Sequence, residues 1–326
     1  MRSRMTARTK RSIHVAIVTI MLSVPASAFA LSSTVTDTQA AAGTPLHLRI
    51  SPRRTTVNHP VTVHGWGPAS AAGHRAILES AVAGSSDWRA LAASTIDAAG
   101  RFQMQTRLRR SGYLRVIDAG PVAVAATVTP DQITVPASGP ASPAQRVSVA
   151  ASFQVPGRAH DVLAGSALLL HGWLRPAVAG RQVRLQGRDG SGWRTLAQAR
   201  TGSAGGFRLR FYPQSGLQRR LRVSFVGDRS NTAATRPAGA MTVYGQSLAS
   251  WYNDGGSTAC GFHAGLGVAN RSLPCGTKVR VRYGGRSVTA TVDDRGPYVG
   301  GRNWDLNQNT AGALGFGGVG TIWVSQ

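Results

Sequence analysis

Short runs of alternating apolar and polar residues recur along the chain from about residue 45 onward. Residues 61–64, 168–171 and 207–211 each place every second side chain on one face, and turn signals separate such runs. Alternation with regular turns predicts antiparallel strands that bury one face. Because Lys and Glu are scarce and Gly is plentiful, long surface helices are not expected, and the pattern predicts an all-β chain.

The alternating region contains an internal repeat. A His-Gly-Trp motif that ends at Trp66 returns at Trp173, an offset of 173 − 66 = 107, and a Trp-Arg pair that begins at Trp88 returns at Trp193, an offset of 193 − 88 = 105. Two tandem β-sandwiches of immunoglobulin-like type are therefore predicted. They cover residues 45–136 and 161–244, with an Ala/Ser/Pro-rich linker over 137–160.

The repeated tryptophans and arginines of the sandwiches have two interpretations. We interpret the four tryptophans as core and turn residues, the alternative being a surface that stacks on sugars. The Arg runs at 107–110 and 219–222 are interpreted as solvated strand edges, the alternative being contacts with a polymer. The repeats are thus expected to serve as spacer or adhesion modules.

The C-terminal segment, 247–326, follows a different pattern and contains both cysteines. Strands are predicted at 278–283, 287–293 and 319–324. A Gly-Gly pair joins the first two as a hairpin. Asn307 or Asn309 is expected to cap a short helix over 310–314, which Gly315 ends. The pattern predicts a small β-barrel with one helix.

The N-terminal segment, 1–30, predicts a secretory signal peptide. Basic residues precede an apolar stretch at 13–24, and Ala28 or Ala30 ends a small-x-small cleavage site. The alternative is a single membrane anchor, but the apolar stretch is shorter than the roughly 20 residues that span a bilayer. A flexible segment over 31–44 follows. We expect a secreted monomer, extracellular or associated with the cell wall, without a transmembrane segment.

The formal net charge of +24 narrows the classes of partner. Of 37 basic residues, 37 − 2 = 35 are Arg, and of 13 acidic residues, 13 − 1 = 12 are Asp. Such a chain is expected near polyanions. Since export makes nucleic acid an unsuitable partner, we expect anionic wall polymers or peptidoglycan. No cofactor and no metal are predicted, and the hydrophobic fraction of 42% disfavours a wholly disordered protein.

Six ordered motifs distinguish residues 247–326. They are S-W-Y at 250–252, T-A-C-G at 258–261, L-P-C-G-T-K-V at 273–279, D-R-G-P-Y at 294–298, G-R-x-W-D-L at 301–306 and L-G at 314–315. This run resembles the RlpA-like double-psi β-barrel family in its secreted actinobacterial branch, with barwin and expansin barrels as more distant relatives. The resemblance covers a quarter of the chain. It implies a six-stranded double-psi β-barrel with a short helix, and a lytic transglycosylase that cleaves peptidoglycan glycan strands.

The resemblance also implies a site built around three polar residues of the family. Asp294 matches the Asp of D-R-G-P, whereas Phe262 stands where the family has Glu and Asn270 where it has His. A lytic transglycosylase uses the substrate's own C6 hydroxyl as the attacking group, so it needs no second carboxylate as nucleophile. Asp294 is therefore predicted to act alone, first as acid and then as base. The alternative is that Asp294 braces the Gly-Pro turn.

Further residues are assigned to the same site. The predicted substrate-binding residues are Tyr252, Thr258, Asn270, Arg295, Tyr298 and Arg302. Trp251 and Trp304 are further candidates for a sugar groove, or core residues. Asp293 is expected to point to the other face of its strand. Asp305 is interpreted as a structural acceptor for a backbone group or Arg302.

Cys260 and Cys275 are the two cysteines of the chain. In an exported protein they predict a disulfide, which would stabilise a small barrel by about 3 kcal/mol through loop closure. The alternative is a zinc site that also uses His263, although a fourth ligand is not evident.

Two functions follow from these residues. The first is a secreted peptidoglycan lytic transglycosylase that forms 1,6-anhydro-muramyl ends. The second is a non-catalytic, expansin-like protein that binds peptidoglycan and loosens the wall, which the replacements at 262 and 270 favour. A third possibility is an adhesin whose sandwiches bind while the barrel caps the chain.

Overall fold

Nearly all regular structure in the described part of the chain is β-strand. The computed structural model describes residues 45–121, 139–190, 192–214, 218–253 and 255–325. The predicted signal peptide (1–30) and flexible segment (31–44) lie outside these residues. Within them, no helix has the length and apolar character needed to cross a membrane. The predicted all-β fold class is confirmed, because the regular helices there are one α-helix and one 3-10 turn.

The first sandwich contains eight strands and the 3-10 turn. They are β1 (His47–Ser51), β2 (Arg54–Thr56), β3 (Pro60–Trp66), η1 (Ala69–Ala71), β4 (His74–Val82), β5 (Arg89–Thr95), β6 (Arg101–Arg107), β7 (Gly112–Pro121) and β8 (Gln145–Ala150). One sheet has the order β1-β3-β6, and the other contains β5-β4-β7-β8 with β2 beside β8. The alternate residues of both sheets face each other in one apolar core, for example Val63 and Met104 against Leu78 and Val116.

The second sandwich repeats this arrangement. Its strands are β9 (Ser152–Gln154), β10 (His160–Leu163), β11 (Leu168–Arg175), β12 (Gln182–Asp189), β13 (Gly192–Arg200), β14 (Gly206–Phe211), β15 (Gln218–Gly227) and the first part of β16 (Thr232–Tyr252). The sheets are β9-β11-β14 and β13-β12-β15-β16-β10. Phe153, Leu170 and Leu209 pack against Leu185 and Val223 between them.

The segment expected to be a linker, 137–160, contributes strands where it is described. Its high Pro and Ser content suggested a linker, but apolar and polar residues alternate there, and Val147, Val149 and Phe153 are buried. Strand β8 completes the first sandwich beside β7, and β9 pairs with β11 of the second. The two sandwiches therefore follow one another without an extended connection between 145 and 154.

The barrel closes through six strands. They are the end of β16, β17 (Gly267–Ala269), β18 (Lys278–Tyr283), β19 (Arg286–Asp294), β20 (Trp304–Asn307) and β21 (Gly320–Ser325), with α1 (Gln308–Leu314) between the last two. The pairings run β16-β21-β18-β19-β17-β20 and back to β16. Two pairs, β16–β20 and β17–β19, are parallel.

The predicted hairpin is confirmed at Gly284 and Gly285, which both have positive φ. Of the two candidate caps, Asn307 and Asn309, it is Asn307 whose side chain accepts a hydrogen bond from Thr310 N. Gly315 ends α1 with φ 66°, as predicted.

Strand β16 belongs to both the second sandwich and the barrel. Its 21 residues pair first with β15 and then with β20 and β21. At the junction, the fully buried Tyr244 donates from its hydroxyl to Asp161 at 3.3 Å, and Arg282 of the barrel donates to the same carboxylate at 2.5 Å. Burial raises the pKa of Tyr244, and the charge of Asp161 adds to the rise. The barrel is thus attached to the sandwich by a continuous strand and a partly buried polar contact.

Candidate active site

Asp294 ends strand β19 and is half-buried. Its Oδ1 accepts hydrogen bonds from the backbone N–H groups of Ala259, at 2.7 Å, and Arg295, at 2.8 Å. The turn that follows requires glycine, because Gly296 has a φ of 127° that other residues rarely adopt. Through Oδ1, Asp294 therefore holds both the backbone at the start of this turn and the loop that carries Ala259.

The guanidinium of Arg295 holds the neighbouring loop. Its Nη1 donates to the carbonyls of Asn270, at 3.1 Å, and Leu273, at 2.8 Å, while Nη2 lies 3.0 Å from Sγ of Cys275. Arg295 is thereby directed at the 270–275 loop. Two neighbouring loops, 258–264 and 270–275, thus meet at Asp294 and Arg295, which lie further along the chain.

Cys260 and Cys275 form a disulfide, with Cα atoms 5.7 Å apart, as predicted. Because both sulfurs are in this bond, neither can be a thiolate ligand, and the alternative zinc site with His263 is excluded. The disulfide joins the same two loops. It therefore helps to hold the Ala259 N–H against Asp294.

Two predicted substrate-binding residues are buried and hold loops. The hydroxyl of Thr258 donates to the carbonyl of Phe262 at 2.7 Å. Oδ1 of Asn270 accepts from the backbone N–H groups of Ser272 and Leu273, and its Nδ2 donates to the carbonyl of Asn303 at 3.2 Å. Both side chains are thus engaged in positioning backbone around Asp294. A direct role in substrate binding stays a prediction for both.

The aromatic candidates divide between surface and core. Tyr298 is 80% exposed beside the Asp294 turn, and Trp251 on β16 is also exposed. Tyr252 on β16 is half-buried, as is Arg302. Trp304 is buried in the barrel core, so it cannot line a sugar groove. Tyr298 and Trp251 therefore offer the open aromatic surfaces of this set.

A second carboxylate, that of Asp305, lies in the same part of the barrel. Strand β17 separates β19 from β20, and Ala269 pairs with Asp294 on one side and with Asp305 on the other. Burial raises the pKa of Asp305 above its usual value. The negative charge of Asp294 adds to the rise, while the Ser250 hydroxyl and the Arg302 charge oppose it. Oδ1 of Asp305 is buried and has no hydrogen-bond partner among the described residues. The expected role of Asp305 as a structural acceptor stays a prediction.

Asp293 is fully buried behind the site. Its Oδ2 accepts from the N–H of Ala264 at 2.8 Å. The pairing steps from Val268–Val292 directly to Ala269–Asp294, so Asp293 is the extra residue of a β-bulge. Asp293 packs against Gly267, where a Cβ would lie 2.1 Å from its Oδ2. This packing explains why residue 267 has no side chain.

Sequence reasoning did not identify the nearness of Asp305 to Asp294. Alternation in W-D-L does indicate that Asp305 points away from the buried Trp304 and Leu306. The pairing of β17 with both neighbours is non-local, and one of the two pairs is parallel. No local sequence signal encodes such a pairing.

The C-terminal segment matches a known family of enzymes. The family described as lytic transglycolase matches residues 245–325. A protein of Synechocystis sp. named probable endolytic peptidoglycan transglycosylase RlpA is 42% identical over 85 residues, covering 23% of this chain and 26% of that protein. A protein of the same name from Nostoc sp. is 38% identical over 108 residues, covering 29% of each chain. The chain thus matches less than a third of the length of these curated relatives.

Solved structures resemble the longer part of the chain only weakly. The tetra-tandem repeat in the extending region of a large adhesion protein is 12% identical with a TM-score of 0.31, covering 86% of this chain and 73% of that one. A chimeric titin tandem is 12% identical with a TM-score of 0.23, covering 60% of this chain and 99% of that one. Likenesses at this level carry no argument about the sandwiches.

For the C-terminal segment, the closed six-stranded pairing, the motifs and the family match agree: residues 245–325 are an RlpA-like double-psi β-barrel domain.

Proposed function

We propose that this protein is an exported peptidoglycan lytic transglycosylase in which Asp294 is the acid and then the base. The observation that carries the proposal is the fixed carboxylate of Asp294. It is half-buried, two backbone N–H groups orient it, and two loops joined by a disulfide surround it. Positioning of this kind is what a proton-transfer residue requires. The family match of the barrel and the names of its relatives support the choice of substrate.

The reaction assigns one oxygen of Asp294 to the proton. Because Oδ1 accepts two backbone N–H groups, Oδ2 carries the proton to the glycosidic oxygen. The bond between the muramyl C1 and this oxygen breaks, and the C6 hydroxyl oxygen of the same sugar bonds to C1. The C6 hydroxyl proton passes to Oδ2, which restores the initial state. The products are a free hydroxyl on one glycan fragment and a 1,6-anhydro-muramyl end on the other.

The residues around Asp294 are assigned to binding of the glycan, and none of them takes part in proton transfer. Tyr298 presents an open ring beside the turn, and sugar rings stack on such faces. Tyr252 and Arg302 are assigned to the same groove, with Thr258, Asn270 and Arg295 holding its loops. The net charge of +24 would keep the protein near anionic wall polymers.

The second candidate function is a non-catalytic, expansin-like peptidoglycan-binding protein. The residues at two family positions favour it: Phe262 is exposed where the family has Glu, and the Asn270 amide that replaces His is engaged in its loop. Such a protein would bind glycan in the same groove without breaking a bond.

Product analysis separates the two candidates. The whole protein is incubated with purified peptidoglycan and with glycan strands freed of stem peptides, and soluble products are analysed by mass spectrometry. The transglycosylase predicts muramyl ends lighter by one water than the reducing ends of hydrolysis. Reducing ends would show a hydrolase, and an absence of products with retained sacculus binding would favour the expansin-like function.

A further inference from the structure

The three-stranded sheet of the first sandwich, β1-β3-β6, presents an open aromatic and cationic face. Trp66 is 47% exposed there, and it pairs across the sheet with His47 on β1 and Arg101 on β6. The rings of His47 and Trp66 are stacked, with centroids 5.6 Å apart and planes 20° apart. The next row on the same face pairs Arg49 with His64. Apolar, hydrogen-bonding and charged groups thus lie side by side on an exposed surface.

The three-stranded sheet of the second sandwich, β9-β11-β14, repeats the same chemistry. Trp173, the counterpart of Trp66 in the second repeat, is 43% exposed and pairs with Gly206. Its indole lies over that glycine, because a Cβ there would be 3.6 Å from Nε1 of Trp173. On the same face His171 pairs with Arg208. We call these two surfaces the tryptophan faces: Trp66 with His47, Arg49, His64 and Arg101, and Trp173 with His171, Arg208 and Arg210.

The strands that form both tryptophan faces carry charge of one sign. The six strands of these sheets contain no Asp or Glu, and they contain Arg but no Lys. The strands are β1, β3, β6, β9, β11 and β14. Arginine binds phosphate through two parallel N–H groups, which lysine cannot do. The faces therefore complement a chain that combines sugar rings with phosphate groups.

The other tryptophan of each repeat is used differently. Trp88 lies beneath the Arg115 guanidinium at 4.1 Å, and Trp193 beneath Arg222 at 4.1 Å. Those rings are half-buried and each has one side covered by the protein's own cation. The exposure of Trp66 and Trp173 is thus a feature of one sheet, kept in both repeats.

We propose that the two tryptophan faces bind a phosphodiester-linked wall glycopolymer of the teichoic type. Trp66 and Trp173 stack on its sugar rings, and the neighbouring arginines bind its phosphates. Two equivalent faces on one chain strengthen binding to a repeating polymer, because the second contact becomes intramolecular. The inference rests on the proposed wall location, but not on catalysis by the barrel.

The test uses the whole protein and immobilised sugar-substituted poly(ribitol phosphate). The double variant Trp66→Ala/Trp173→Ala keeps every charge, so it separates stacking from simple attraction between opposite charges. We expect its Kd to rise roughly tenfold, with an unchanged dependence on salt concentration. The matched control is Tyr113→Ala, which removes a 37% exposed aromatic from the opposite sheet. Its Kd should stay within about twofold of the parent protein, since isolated surface changes have small effects.

Intact sacculi and sacculi stripped of teichoic polymers identify the occupant. The proposal predicts that the tryptophan variant binds intact sacculi more weakly than the parent protein does, and that the two bind stripped sacculi equally. Equal binding by parent and variant would overturn it in favour of charge alone. An equal loss on stripped sacculi would assign the faces to peptidoglycan, and a change in oligomeric state without a change in polymer binding would assign them to self-association. Both variants should also form the same products from soluble glycan strands as the parent, so failure of catalysis and failure of this inference are distinguishable.

Discussion

Asp294 and Asp305 are both register partners of Ala269, one on each side of it. Since neighbouring strands lie about 4.8 Å apart, the Cα atoms of the two acids are separated by roughly 10 Å. The bulge at Asp293 sets this relationship, because it brings Asp294 rather than Asp293 opposite Ala269. The barrel thus holds two carboxylates with different surroundings: Asp294 is bound by backbone N–H groups, and Asp305 is poorly solvated.

The raised pKa of Asp305 predicts a pH-dependent effect of Asp305→Asn. Burial disfavours the charged carboxylate, so the folded pKa lies above the usual value of 3.8. The protonated form of Asp305 avoids this cost of burial. The free energy of unfolding of the parent protein therefore falls as pH rises through the pKa that Asp305 has in the folded state. In urea unfolding, Asp305→Asn should match the parent near pH 3 and become more stable than it toward pH 7, conditions that bracket an ordinary carboxyl pKa of about 4.

The exposed acid Asp189 provides the control for this experiment. Asp189→Asn should change the free energy of unfolding little at either pH. A difference between Asp305→Asn and the parent that does not vary with pH, or that grows toward acid, would contradict the assignment.

The disulfide should stabilise both the barrel and the site. Replacing Cys260 and Cys275 by Ser opens a loop of 15 residues, and the free energy of unfolding should fall by about 3 kcal/mol. The parent should lose a similar amount when a reductant is added, whereas the double Ser variant should not respond to it. Product formation should also fall, because the Ala259 N–H is less firmly held against Asp294. Equal stability of parent and variant without reductant would contradict this role.

Two glycines of the barrel should respond to alanine in opposite directions. Gly267→Ala places a methyl group 2.1 Å from Oδ2 of the buried Asp293, so it should destabilise by about 1–3 kcal/mol. Gly312→Ala adds a methyl group in open space within helix α1, so it should stabilise by up to about 1 kcal/mol. Thermal unfolding measures both. Similar effects of the two changes would mean that the contact between Gly267 and Asp293 is not as described.

Local features of the fold could be predicted from the sequence, and long-range features could not. The Gly284-Gly285 hairpin, the Asn307 cap and the Gly315 end of α1 each depend on a few adjacent residues. The strands near 145–154 were missed because Pro and Ser masked a short alternation. The continuity of β16 across two domains was also missed, because its pairing passes from β10 at Tyr244 to β21 at Gly245 without a break.

The candidate site divides in the same way. The disulfide could be predicted because the chain has two cysteines and is expected to be exported. Motif order singled out Asp294, whose catalytic role stays a prediction. The side-chain directions of Arg295 and Asn270 depend on loops that are distant in the chain and pack together only in the closed barrel. The spacing of the repeats could not show that Trp66 is exposed while the ring of Trp88 lies under Arg115. Both tryptophans recur in the second repeat at nearly the same offset.

The central claim is that Asp294 carries out proton transfer in glycan cleavage. The most direct measurement is the rate at which 1,6-anhydro-muramyl ends form from peptide-free glycan strands, followed by mass spectrometry for the parent, Asp294→Asn and Asp189→Asn. The account predicts anhydro ends from the parent and from Asp189→Asn at equal rates. Asp294→Asn should be slower by at least about 100-fold, the usual contribution of a positioned acid or base, while thermal unfolding verifies that it remains folded. Equal rates for the parent and Asp294→Asn, or products with reducing ends, would contradict the account.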